Sequence, residues 1–86
     1  MPTRPDQTDP KRAARWATIR AHVGGRIRAI RLEQGLTQEA LALASGVTRN
    51  VLIDVELGRR GLLYERLFDI AYALDVPVSD LTDTGR

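Results

Sequence analysis

The chain has 86 residues, 43% hydrophobic and 28% charged, with no cysteine and a net charge of +2. That length supports one small domain with a modest core, not a second domain or a large active-site cavity, and the missing thiols exclude disulfides and thiolate chemistry. The longest apolar run, Ala40 to Ala44, falls far short of the roughly 18 residues a membrane span needs, and no signal-peptide segment opens the chain, so a soluble, unexported, cytoplasmic protein with no membrane association is expected.

Residues 1–10 hold three prolines and almost nothing apolar, which predicts a flexible arm. From Lys11, the residues Trp16, Ile19, Val23, Ile27 and Ile30 recur every three or four positions and mark one face of a helix. Gly24 and Gly25 interrupt the pattern. A glycine costs about 1 kcal/mol in a helix interior, so residues 11–34 form either one weakened helix or a lead-in helix followed by a main one. Gly35 is the expected C-cap.

The next helix opens at Thr37, whose hydroxyl can cap backbone donors, and turns Ala40, Leu41 and Ala44 inward. Ser45 and Gly46 break it. Thr48 is the N-cap of a third helix that reaches Leu57 before Gly58 stops it. The basic turn GRRG at 58–61 precedes a fourth helix with Leu63, Leu67, Ile70, Ala71 and Leu74 as its inward stripe. Asp75 to Pro77 turns the chain, and a short helix, Val78 to Leu81, closes the core. With no strand pattern and no internal repeat, the predicted class is all-α.

Two short helices separated by about three residues make a helix-turn-helix, in which the second helix enters the major groove and the first crosses the backbone. The runs RIRAIRLEQGLTQEALALASGV, TRNVLIDVELGRR and LFDIAYALDVPVSDL, in that order and spacing, resemble the phage repressor and Cro type of domain, the XRE family. The resemblance covers Val23 to Leu81, about two thirds of the chain. It implies a five-helix, lambda-repressor-like DNA-binding domain over residues 23–82, preceded by an N-terminal helical extension at 11–22 and followed by a tail at 83–86.

The third helix, 48–57, then takes the place of a recognition helix. Its outward side chains suit base edges: Arg49 can donate a fork to guanine, Asn50 can pair with adenine, Ile53 can lie on a thymine methyl, and Asp54 can accept from cytosine. Gln38 matches the family's glutamine that fixes a helix N-terminus on a phosphate, where exposed amides and the helix dipole favour an anion. Thr37, Thr48, Arg59 and Arg60 complete the expected phosphate contacts. Arg31 and Glu56 match positions that in the family often form a buried ion pair. Val47, Leu52 and Val55 match core positions, and Ala42 with Gly46 leaves room for the helix crossing.

Two features depart from the family pattern. Ile53 and Asp54 replace residues that are usually polar and usually basic or amide, and GLLYERL lacks a hydroxyl cap before the fourth helix, which leaves Leu62 and Tyr64 as candidates for exposure. Charge is uneven as well. Residues 1–34 carry eight bases and three acids, and residues 62–86 carry two bases and five acids. A basic front suits a polyanion, although ordinary solubilising charge gives the same count. Lys11, Arg12, Arg15 and Arg20 either form an arm along the DNA backbone or in the minor groove, or stay solvated while Trp16 and Ile19 pack on the core or on a second subunit.

His22 is the only histidine, so no multi-histidine metal site exists, and no phosphate loop or nucleophile arrangement is present. The chain is expected to be neither an enzyme nor a cofactor protein. The expected function is a sequence-specific transcriptional regulator, a repressor that binds double-stranded DNA at a two-fold operator as a homodimer. The alternative is an antitoxin or adaptor on the same scaffold, binding a protein partner through Ile53, Leu57 and Leu62.

Overall fold

The computed structural model describes residues 9–85. The expected arm therefore lies outside the described residues except for Asp9 and Pro10. Five helices and no strand occur among the described residues: α1 (Pro10–Glu33), α2 (Gln38–Ser45), α3 (Arg49–Glu56), α4 (Tyr64–Leu74) and α5 (Ser79–Thr82). The all-helical expectation holds, with helix ends within a residue or so of those read from the caps.

Each helix contributes to one core. Ile27 of α1, Leu41 of α2, Leu52 of α3, Ile70 and Leu74 of α4 and Leu81 of α5 are all fully buried. Burying an aliphatic side chain of this kind is worth about 1.5–3 kcal/mol, so a short helix such as α3 is held by its seat on the core more than by its own hydrogen bonds.

The paired glycines do not divide the first helix. α1 runs unbroken for 24 residues, started by Asp9, whose carboxylate accepts from the Lys11 and Arg12 amides at 3.0 and 3.2 Å. Gly24 is buried where α1 meets α3, and a Cβ there would collide with the carbonyl oxygen of Val55. Gly25 faces open space. The helix tolerates the pair because one glycine allows the two backbones to touch.

Two apolar expectations fail for want of a surface to meet. Leu63 lies at the N-cap of α4 and is exposed, since the helix begins one residue later. Ala44 points to solvent. Trp16, expected to pack on protein, is half covered, in a groove that it lines with Leu62 and Leu67. Leu62 is partly buried, whereas Tyr64 is exposed. α5 and the residue after it are tied back to α1, with Arg26 Nε donating to the Asp80 carbonyl at 3.0 Å and His22 Nε2 donating to the Asp83 carbonyl.

One buried ion pair joins α1 to α3. Arg31 Nε donates to Glu56 Oε2 at 2.7 Å and Arg31 Nη2 donates to Glu56 Oε1 at 2.9 Å. Both side chains are almost wholly covered. Arg31 Nη1 also donates to the Leu36 carbonyl at 2.8 Å, and Gln38 Nε2 donates to Glu56 Oε1 at 3.1 Å. The hydrogen bond to Glu56 raises the Arg31 pKa from its already high value, outweighing the opposing effect of burial. A raised pKa stabilises the fold throughout the neutral range and loses that effect only above the ordinary arginine range, so the guanidinium adds no titration near pH 7.

Two outcomes follow from these contacts. Gly24→Ala should destabilise the fold by about 1–3 kcal/mol through overpacking against backbone, whereas Gly25→Ala should stabilise it by about 0.5–1 kcal/mol. Glu56→Ala should cost about 3–5 kcal/mol, and pairing Glu56→Met with Arg31→Met should recover much of that loss, because the penalty comes from an unpartnered buried charge. Urea denaturation of the four variants measures all of these differences.

Candidate nucleic-acid interface

α2 and α3 meet through a short turn, with Gly46 at the C-cap of α2 and Thr48 at the N-cap of α3. Both threonine hydroxyls serve their own helices. Thr37 Oγ1 accepts from the Ala40 amide at 3.0 Å and Thr48 Oγ1 accepts from the Val51 amide at 3.3 Å. The amides of the first helical residues have no intrahelical carbonyl to reach, so each N-terminus keeps donors for an anion.

α3 is seated by Leu52, Val55 and Glu56, all buried. Arg49 and Asn50 are exposed on its first turn, while Ile53 and Asp54 are partly covered. The four candidate base-reading residues thus lie outside the core, with the long donors at the helix start and the branched apolar and acidic side chains one turn later.

Arg28, Arg31, Thr37, Gln38, Glu39 and Arg49 line a shallow trough where α1 passes the N-termini of α2 and α3. Gln38 spends one amide hydrogen on Glu56 and retains the other. The buried ion pair therefore also orients the side chain at the trough floor. Arg28 was missed in reading the sequence. Its signal was its place three residues before Arg31, which puts both on one side of α1.

Past α3 the chain turns sharply. Gly58 has φ +74°, a left-handed value that disfavours other residues, and the Arg59 amide donates to the Asp54 carbonyl at 2.8 Å, completing a Schellman-type stop. The turn brings Arg59 Nη1 to 3.8 Å from Asp54 Oδ1, an exposed pair worth about 0–1 kcal/mol. It moderates the acid on the outward face. Arg60 is exposed and sits elsewhere, on the rim of an apolar groove lined by Trp16, Ile19, Val23, Leu62 and Leu67.

Among the described residues, no group of three or more histidines or acids is placed to hold a metal ion, and no helix is long and apolar enough to cross a membrane.

Known proteins with this arrangement share its sequence pattern. Over 60 residues the chain is 43% identical to an uncharacterized transcriptional regulator in the ATPase CF(0) region of Rhodospirillum rubrum, covering 70% of this chain and 56% of the relative. It is 38% identical over 58 residues to the uncharacterized HTH-type transcriptional regulator y4dJ of Sinorhizobium fredii, covering 67% and 75%. The chain thus spans little more than half the length of the first of these relatives.

Among solved structures, the restriction-modification controller protein C.AhdI of Aeromonas hydrophila superposes with a TM-score of 0.70 at 35% identity, over 72% of this chain and 94% of that one. The clp gene regulator ClgR of Corynebacterium glutamicum gives 0.71 at 33% identity, over 73% and 67%. A regulator from Vibrio cholerae shares the fold, with a TM-score of 0.76 at 21% identity over 81% of this chain and 39% of that one. The HTH_3 family pattern, described as helix-turn-helix, matches residues 27–81, the segment that supplies the buried core from Ile27 to Leu81, and the chain belongs to this XRE-type helix-turn-helix family.

Proposed function

We propose that the protein is a sequence-specific transcriptional regulator, a repressor that binds double-stranded DNA at a two-fold operator as a homodimer. The observation that carries this reading is the placement of α3: its inner side chains are buried, while Arg49 and Asn50 stand exposed beside a trough that gathers Arg28 and the N-termini of two helices. In this reading Arg49, Asn50, Ile53 and Asp54 meet base edges, and Thr37, Gln38, Thr48, Arg59 and Arg60 meet phosphates. The names of its relatives, a controller protein and several transcriptional regulators, support the same role.

Two copies fit the task. A two-fold dimer sets its recognition helices about 34–36 Å apart to read successive major grooves, and it doubles the small contact that one domain makes. The domain plan is a reading domain at 23–82 with a helical extension at 11–22 and a tail at 83–86.

The test is selection of bound duplexes from a randomised pool, followed by anisotropy titration of the selected sequence across salt concentrations. A palindrome with steeply salt-dependent affinity is the expected result. Arg49→Ala should relax selection at one base position per half-site. Arg60→Ala should weaken binding to all sequences alike and lower the salt slope by about 1 for each phosphate that the arginine neutralised. No enriched sequence, with weak binding throughout, would defeat the operator reading and favour a protein-binding role.

A further inference from the structure

Two aromatic surfaces stay uncovered in the fold. On α4, Tyr64, Phe68 and Tyr72 are spaced four residues apart and share one side of the helix. They are 70%, 54% and 89% exposed, and the first two rings meet edge to face with centroids 6.5 Å apart. On the N-terminal half of α1, Trp16 is 50% exposed. It lines the groove that also includes Leu62 and Leu67, so it faces the start of α4.

Charge separates the two surfaces. The α4 stripe is flanked by Glu65 and Asp69, whereas α1 carries Lys11, Arg12, Arg15 and Arg20 with no acid from residue 10 to residue 32. Among the described residues, none of these four bases makes an ion pair, and neither does Glu65; Asp69 has an exposed contact with Arg66 at 3.1 Å. The base-flanked Trp16 and the acid-flanked tyrosines are complementary surfaces, and among the described residues no ion pair joins them within one chain. An acid rim also makes the stripe a poor site for DNA.

We propose that a second copy of this chain covers these surfaces: the N-terminal half of α1 in each protomer lays Trp16 and its flanking arginines on the Tyr64, Phe68 and Tyr72 stripe of the other. A two-fold axis makes the contact twice, as closed symmetry requires. The arginines gain the faces of the tyrosine rings as well as the acids. An aromatic side chain buries about 150–250 Å², so the uncovered fractions of the four rings amount to roughly 550 Å² per protomer. A pair reaches about 1,100 Å², and the charged rim carries it into the range of stable interfaces, which starts near 1,200 Å². The inference rests on the homodimer reading above and assigns that dimer its surface.

The test is sedimentation of the full chain without DNA, using two charge reversals. One variant carries Arg12→Glu with Arg15→Glu, and the other carries Glu65→Arg with Asp69→Arg. Each alone should raise the dimer dissociation constant at least about ten-fold, because both contacts become repulsive. An equimolar mixture should restore dimers near wild-type affinity, because each contact again joins opposite charges. Tyr72→Ala, which changes no charge at a highly exposed site, should weaken the dimer too.

If the wild-type chain dimerises and the reversals leave that unchanged, or the mixture restores nothing, the proposed surface is overturned while the homodimer reading stands. A wild-type chain that stays monomeric both free and on DNA overturns both, and leaves the stripe to a different protein.

Discussion

The Arg31–Glu56 pair governs how the helix-turn-helix unit sits on the rest of the molecule. Its two hydrogen bonds of 2.7 and 2.9 Å tie α1 to the end of α3, and the remaining donors of Arg31 and Gln38 extend the tie to the α1–α2 turn and to α2. Three helices are thereby fixed by one polar cluster inside an apolar core. Such a cluster adds little net stability over an apolar replacement, because removing two charges from water is expensive. Its contribution is position. A fork meeting a carboxylate permits one orientation, whereas Leu52 and Val55 alone would tolerate small rotations of α3.

That position links the core to the surface. Glu56 accepts from Gln38, so the pair that anchors α3 also orients a side chain of the trough between the helix N-termini. The stop just past Glu56 works similarly, since a left-handed Gly58 and the backbone bond from Arg59 to Asp54 determine where the basic turn leaves the helix. The face proposed to meet DNA is thus positioned from the C-terminal end of α3, by the buried carboxylate of Glu56 and by the main chain of the turn that follows it.

Helix order was legible in the sequence because threonine caps, glycine stops and a three-to-four residue apolar rhythm are local signals. Gly24 was legible only as an interruption. Its reason is the Val55 carbonyl, 31 positions away along the chain, and a local pattern cannot reveal such a contact. Ala44 and Leu63 fall on the apolar side of their helices yet lie exposed, because periodicity reports which side of a helix is apolar and says nothing about whether a neighbour covers it. Arg28 escaped for the converse reason, since one arginine in a helix rich in bases gains meaning only when the N-termini of α2 and α3 lie beside it.

The backbone contact at Gly24 has an evolutionary consequence. α3 is set at its depth by main-chain atoms of Val55 and Glu56 against a bare α1 surface, and by the Glu56 carboxylate at the same end, not by the side chains of its outward face. Arg49, Asn50, Ile53 and Asp54 can therefore drift with little penalty in folding free energy, since surface substitutions away from caps and buried networks usually change stability by no more than about 0.5 kcal/mol. In the proposed DNA-reading role, a new target needs changes at only these four exposed or half-covered positions, and the glycine, the ion pair and the caps beneath them need not change.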